Sequence, residues 1–138
     1  MGALKPIGLL SSWTIRSTDA FALVASVDEA VRNDAELISY LRGGPAIFAI
    51  MEHTVDVIDG RFGTAVGSAI QSDGEFYWRG DSADYVEHHG VRPASELCTK
   101  ARLLGGRTPV LSGEELLEVD AALWALHSSG RDPGRGPA

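Results

Sequence analysis

Two Asp-Gly dipeptides, Asp59-Gly60 and Asp73-Gly74, constrain this chain more than any other feature. Asp-Gly readily supplies the positive φ angles of a type I′ turn, the tightest link between antiparallel strands. The segments on either side, 46–58, 63–71 and 75–79, are rich in Ile, Val, Phe and Trp. Two such turns in succession predict an antiparallel meander.

With two-residue loops the register follows. Val57 lies opposite Phe62, His53 opposite Val66 and Ile70 opposite Tyr77. One face then collects Ile47, Met51, His53, Val55, Val57, Val66, Ile70 and Tyr77, and should carry the helices. His53 is expected there as a hydrogen-bonded core histidine. The other face is mixed: Phe48, Ile50, Phe76 and Trp78 with Glu52, Thr54 and Asp56. Gly63 and Gly67 leave room on it for a ring, a helix or a ligand to approach the backbone.

Helix signals flank the meander. Residues 11–25 allow an early strand. Ser26 and Glu29 suit a reciprocal cap, with a helix broken near Asn33–Asp34 and ended by Gly43-Gly44-Pro45. Asp81 or Ser82 caps a short helix that Gly90 ends, and Pro93 opens another reaching about Leu104. Ser112 and Glu115 cap the last helix, where Leu116, Val119, Leu123 and Leu126 recur at helical spacing and Leu117 with Trp124 widens the stripe. The fold class predicted is α+β, a three- to four-stranded antiparallel meander with helices packed on one face. Residues 1–129 form one domain, and the Gly/Pro-rich segment 130–138 is expected to be a flexible tail.

Composition bounds the function. The chain has 138 residues, 44% of them hydrophobic, which excludes a disordered or collagen-like chain. Nineteen acids against twelve Lys plus Arg give a net charge of −7. That disfavours nucleic acid and anionic membranes and suits a basic protein partner. The only cysteine, Cys98, cannot form an internal disulfide and is expected as a small buried hydrophobe. The apolar run Ile7 to Leu10 is too short for a signal-peptide core, and no run is long enough to cross a bilayer. A cytoplasmic protein is expected, and the excess of Arg over Lys is usual under GC-rich coding.

Few residues suggest chemistry. Asp81, Asp84 and His88 stand three and four apart, a usable spacing for a metal, but helix capping and the helix dipole explain them as well. Alternation sends Glu52 and His53 to opposite faces, so they cannot act together as acid and base. Glu52 should lie over Gly67 near Trp78, a cradle for a cation or an arginine. Arg79 can pair with Asp81, Asp84 or Glu75 at the junction of strand and helix, and its place in Arg-Gly-Asp is coincidental. No phosphate-binding loop, nucleophile elbow or zinc-protease motif is present.

Residues 72–93, S-D-G-E-F-Y-W-R-G-D-S-A-D-Y-V-E-H-H-G-V-R-P, resemble a pattern in small bacterial proteins of uncharacterised function. In those proteins an Asp-Gly hairpin leads to a W-R-x-D strand end, a short helix and a Pro-capped helix. Some sit near the immunity proteins of polymorphic toxins. The resemblance covers about one sixth of the chain and carries over no catalytic residue.

The function expected is a small, acidic, non-enzymatic binding module, immunity-like or regulatory, acting through protein–protein contact. Its candidate binding residues are Glu52, Asp56, Gly67, Trp78, Arg79, Asp81 and Asp84, with Trp78 as anchor. No catalytic residue, cofactor or metal is assigned. Two alternatives stand beside it: a small-molecule binder or small enzyme with a pocket on the Gly63/Gly67/Trp78 face, and a structural homodimer using the same face.

Overall fold

A computed structural model describes residues 2–136. The strands are β1 (Lys5–Pro6), β2 (Ala46–Phe48), β3 (Thr54–Val55), β4 (Gly63–Thr64), β5 (Ile70–Ser72) and β6 (Phe76–Arg79). The helices are α1 (Ala20–Ala25), α2 (Glu29–Arg32), α3 (Ala35–Arg42), α4 (Ser82–His89), α5 (Ser95–Leu103) and α6 (Gly113–Ser128). The class is α+β. Its main sheet is mixed, in the order β1-β6-β5-β2, with β1 parallel to β6, and β3-β4 form a separate two-stranded ribbon.

The all-antiparallel meander is therefore corrected in three places. The N-terminal segment adds a parallel strand, and the long strand expected over 46–58 is broken after Phe48, so that β3 leaves the main sheet. The strand expected over 63–71 is broken between Thr64 and Ile70, so that β4 pairs with β3 away from the main sheet. Both Asp-Gly pairs do lie in turns, with φ of +72° at Gly60 and +93° at Gly74. Their loops are longer than two residues because an aspartate captures loop amides in each. Asp56 accepts from the amides of Ile58 (2.8 Å) and Arg61 (3.0 Å), which moves the pairing to Val55 opposite Gly63. Asp73 accepts from the amides of Glu75 (2.9 Å) and Phe76 (2.7 Å), which moves the pairing to Ser72 opposite Tyr77. The second shift is by two residues, so Ile70 and Tyr77 still share a face.

Helices cover both faces of the sheet, not one. Phe76 and Trp78 point into a core shared with Leu37, Tyr40 and Leu41 of α3, Val86 of α4 and Leu97 of α5. Ile70 and Tyr77 point the other way and pack on Val119 and Leu123 of α6. A strand with apolar residues on both faces, F-Y-W-R here, is buried on both. Cys98 is buried as expected.

Local helix signals were followed unevenly. Residues 11–25 hold short 3-10 turns and α1, not a strand. Asp28, not Ser26, caps α2 through the Ala30 amide, and Asp34 caps α3 through Leu37, so the break at Asn33–Asp34 stands. Ser26 bonds back to the Leu23 carbonyl at the end of α1. Gly90 ends α4 in the left-handed region, and Ser112 with Glu115 forms the full reciprocal cap of α6.

The segment from Gly130, expected to be a flexible tail, is tied down as far as Arg135. Asp132 accepts from the Ser12 hydroxyl at 2.7 Å, and Arg135 holds both oxygens of Asp19 at 2.8 and 2.9 Å. Pro137 and Ala138, also part of that expected tail, lie outside the described residues.

Candidate functional site

The seven residues singled out from the sequence do not form one surface. Trp78 is fully buried, its ring lying over Gly44 and its Nε1–H donating to the Leu41 carbonyl at 3.0 Å. It anchors the core and offers nothing to a partner. Glu52 is exposed in the irregular stretch after β2, and His53, expected in the core, is exposed beside it. Gly67 is buried against Thr54: a Cβ there would overlap the Thr54 hydroxyl and lie 2.7 Å from its Cβ. The space read as a pocket on the Gly63/Gly67/Trp78 face is thus filled by the protein's own side chains.

Arg79, Asp81 and Gly67 do meet, at the junction between β6 and α4. Arg79 grips Asp81 with two bonds of 3.0 Å, and its Nη1 reaches the carbonyls of Ser12 and Trp13 at 3.2 Å. Asp81 also accepts from the Thr54 hydroxyl at 3.0 Å, and its amide donates to the Gly67 carbonyl. Of the three partners the sequence offered Arg79 at this junction, Asp81, Asp84 and Glu75, the structure pairs it with Asp81. The pairing leaves Asp81 unable to join Asp84 and His88 on a metal. Asp84 faces Arg42 at 3.5 Å, and burial nonetheless raises its carboxyl above the ordinary range. His88 stacks on Phe62.

Asp56 belongs to a second buried cluster. Its Oδ2 accepts from His89 Nε2 at 2.6 Å, and Asp59 Oδ1 lies 3.3 Å from the same nitrogen. Burial pushes Asp56 up, but the His89 bond and the amides of Ile58 and Arg61 outweigh it, leaving the carboxyl below its usual range. Tyr85 braces the same loop by accepting from the Val57 amide, and burial pushes its phenol up to about 12. Asp59 is expected from the sequence only as a turn residue, and His89 carries no expected role. Thirty residues separate them, and only the folding of the loop onto the end of α4 unites them.

One accessible apolar surface lies elsewhere, on α6, beside other exposed apolar side chains such as Phe21, Leu103 and Val110. Leu117 is 72% and Trp124 55% exposed, so these residues do not widen the buried stripe. They stand seven apart on one outward face, with Ala121 between them. Trp124 packs its ring 5.2 Å from Phe48 and borders a groove of about 350 Å³, lined by Ile47, Phe48, Ile50, Asp120 and His127. Ile50 and Met51, 46% and 76% exposed, continue the apolar area beyond β2, an edge strand of the main sheet. Helix α6 carries Glu114, Glu115, Glu118 and Asp120 and neither Lys nor Arg. The signal was present in the sequence, since α6 has more apolar positions than one buried face can use.

A larger concavity of about 720 Å³ lies between α2, α3 and α4. Its two arginines each have an acidic neighbour, Arg32 Nη2 with Glu29 at 3.1 Å and Arg42 Nη1 with Glu87 at 3.1 Å. Arg32 Nε is buried without a hydrogen-bond partner among the described residues.

Comparison with protein-family models, curated proteins and solved structures finds no match. Among the described residues, no helix is long and apolar enough to cross a membrane.

Proposed function

We propose that the protein is a non-enzymatic binding module that takes a basic, amphipathic segment of a partner protein on the outer face of α6. The observation that carries this reading is Trp124, more than half exposed at the rim of an apolar groove on a helix whose charges are all acidic. Aromatic side chains at such positions supply most of the energy of protein contacts, and flanking charges steer the encounter. A partner with apolar residues for the groove and Lys or Arg for Glu114, Glu118 and Asp120 complements both. The net charge of −7 favours the same partner at long range. Neutralising or sensing a basic protein is the immunity-like or regulatory role this surface suits. Trp124 takes the anchoring role that Trp78, buried in the core, cannot fill.

The test uses fluorescence anisotropy with a labelled Lys/Leu amphipathic peptide and its Glu/Leu counterpart. The basic peptide should bind the full chain, weaken as salt is added, and lose at least tenfold in affinity with Leu117→Glu. Equal binding of the two peptides, or none lost in Leu117→Glu, would overturn the reading. Sedimentation at increasing protein concentration covers the homodimer: a doubled mass abolished by Leu117→Glu would assign the face to a second copy instead.

A further inference from the structure

The geometry points to a divalent-metal site formed by Asp56, Asp59 and His89, where the 56–62 loop meets the C-terminal end of α4. It rests on none of the observations at α6. One donor atom from each residue lies within 4.8 Å of the other two. His89 Nε2 stands 2.6 Å from Asp56 Oδ2 and 3.3 Å from Asp59 Oδ1. Atoms that share an ion through bonds of about 2.1 Å stand about 3.0 Å apart in an octahedron and about 3.4 Å apart in a tetrahedron. The Asp59 separation therefore suits neighbouring ligands, and the Asp56–His89 contact opens by about half an ångström or more to admit the ion.

The hydrogen bonds satisfy Asp56 and hold His89 to it, while Asp59 Oδ1 stands 3.3 Å from the same nitrogen without a hydrogen bond of its own to it. Asp56 and His89 are buried, and a single Nε2–H lies between two carboxylates. One hydrogen can align with only one of them. A divalent ion in its place would be bonded by all three atoms. The outer bonds are those of a ligand set already held in place. Asp56 accepts from the Ile58 and Arg61 amides, and the second oxygen of Asp59 takes Arg61 Nε at 2.7 Å. Such contacts orient metal ligands and account for a large part of their affinity.

Asp59 is 38% exposed, which gives the ion a way in and leaves positions for water. One imidazole and two carboxylates suit Zn²⁺ or Mn²⁺ and not a thiol-seeking ion such as Cu⁺. The ion would clamp the loop to α4, so the site stabilises the fold and implies no reaction.

The experiment takes the untagged full chain, stripped with a chelator, and titrates Zn²⁺ and then Mn²⁺ by calorimetry, with native mass spectrometry for the stoichiometry. One equivalent should bind and raise the melting temperature. Asp59→Asn should weaken uptake at least tenfold while the metal-free protein keeps its circular dichroism, because the half-exposed amide can still accept from Arg61. His88→Gln, one residue from the site, should bind like the parent. No uptake by the parent at 1 mM metal (about a thousandfold above a micromolar site) would overturn the proposal. So would unchanged uptake in Asp59→Asn, or an equal loss in His88→Gln.

Discussion

Arg79 and Asp81 grip each other through two hydrogen bonds of 3.0 Å, each side chain only 2% exposed, across the turn that joins β6 to α4. The bond pair fixes the direction in which α4 leaves the sheet. The remaining guanidinium nitrogen reaches back to the Ser12 and Trp13 carbonyls, so one side chain ties three parts of the chain together.

Arg79→Ala should therefore be among the most damaging single changes. It leaves a buried carboxylate without its cation and two carbonyls without a donor, at a cost of about 3–5 kcal/mol. Arg79→Lys keeps the charge but not the fork, and should recover only part of the loss. Urea unfolding followed by circular dichroism measures both. Parent-like stability in Arg79→Ala would refute the role given to the pair.

Gly67 is occupied ground. A methyl there would stand 2.7 and 2.8 Å from Thr54 carbons, and overpacking of this kind costs about 1–3 kcal/mol. Gly67→Ala should destabilise, and Thr54→Gly in the same chain should restore part of the loss. A double-mutant cycle with no coupling would contradict the contact.

Acid should weaken the fold through Asp73. Burial raises its carboxyl, but Tyr40 OH, the amides of Phe76 and Glu75, and Lys100 at 2.9 Å together hold it below the ordinary range. Its folded-state value is thus lower than its unfolded one, about 3.9. The stabilisation is complete above that unfolded value and disappears as pH falls through the folded one. Asp73→Asn should cost about 2 kcal/mol at pH 7 and make the decline in stability below pH 4 shallower. Urea midpoints measured from pH 7 to pH 2 test this, and parallel curves for parent and variant would exclude Asp73 as the source.

The C-terminal segment should behave as part of the fold. A Cβ at Gly134 would lie 2.5 Å from the Ser12 amide nitrogen and 2.8 Å from the Gly8 carbonyl oxygen. Both neighbours are backbone and cannot rotate away. Gly134→Ala should lift the segment, break the Arg135–Asp19 pair and open residues 130–136 to limited proteolysis. Cleavage no faster than in the parent would show that the docking is dispensable.

What could be read from the sequence was local. Glycine freedom and short side-chain caps act over three to five residues, so Gly60, Gly74, Gly90, the helix break at Asn33–Asp34 and the Ser112–Glu115 cap were legible without a fold. The existence of the β5-β6 hairpin and the α+β class follow from the same signals. Register was not legible, because Asp56 and Asp73 can bond either to solvent or to loop amides, and the choice depends on what the loop packs against. The parallel strand β1 was hidden for a related reason: two residues, Lys5 and Pro6, carry no pattern of their own and become a strand only beside β6. The chemistry of Arg79 with Asp81 was foreseeable at a separation of two residues, although its burial was not. The meeting of Asp59 with His89 and the outward turn of Leu117 and Trp124 were decided by tertiary structure alone. Burial depends on which face another element covers, and a sheet covered on both sides takes Trp78 into its core while α6, packed by one face, leaves Trp124 in water.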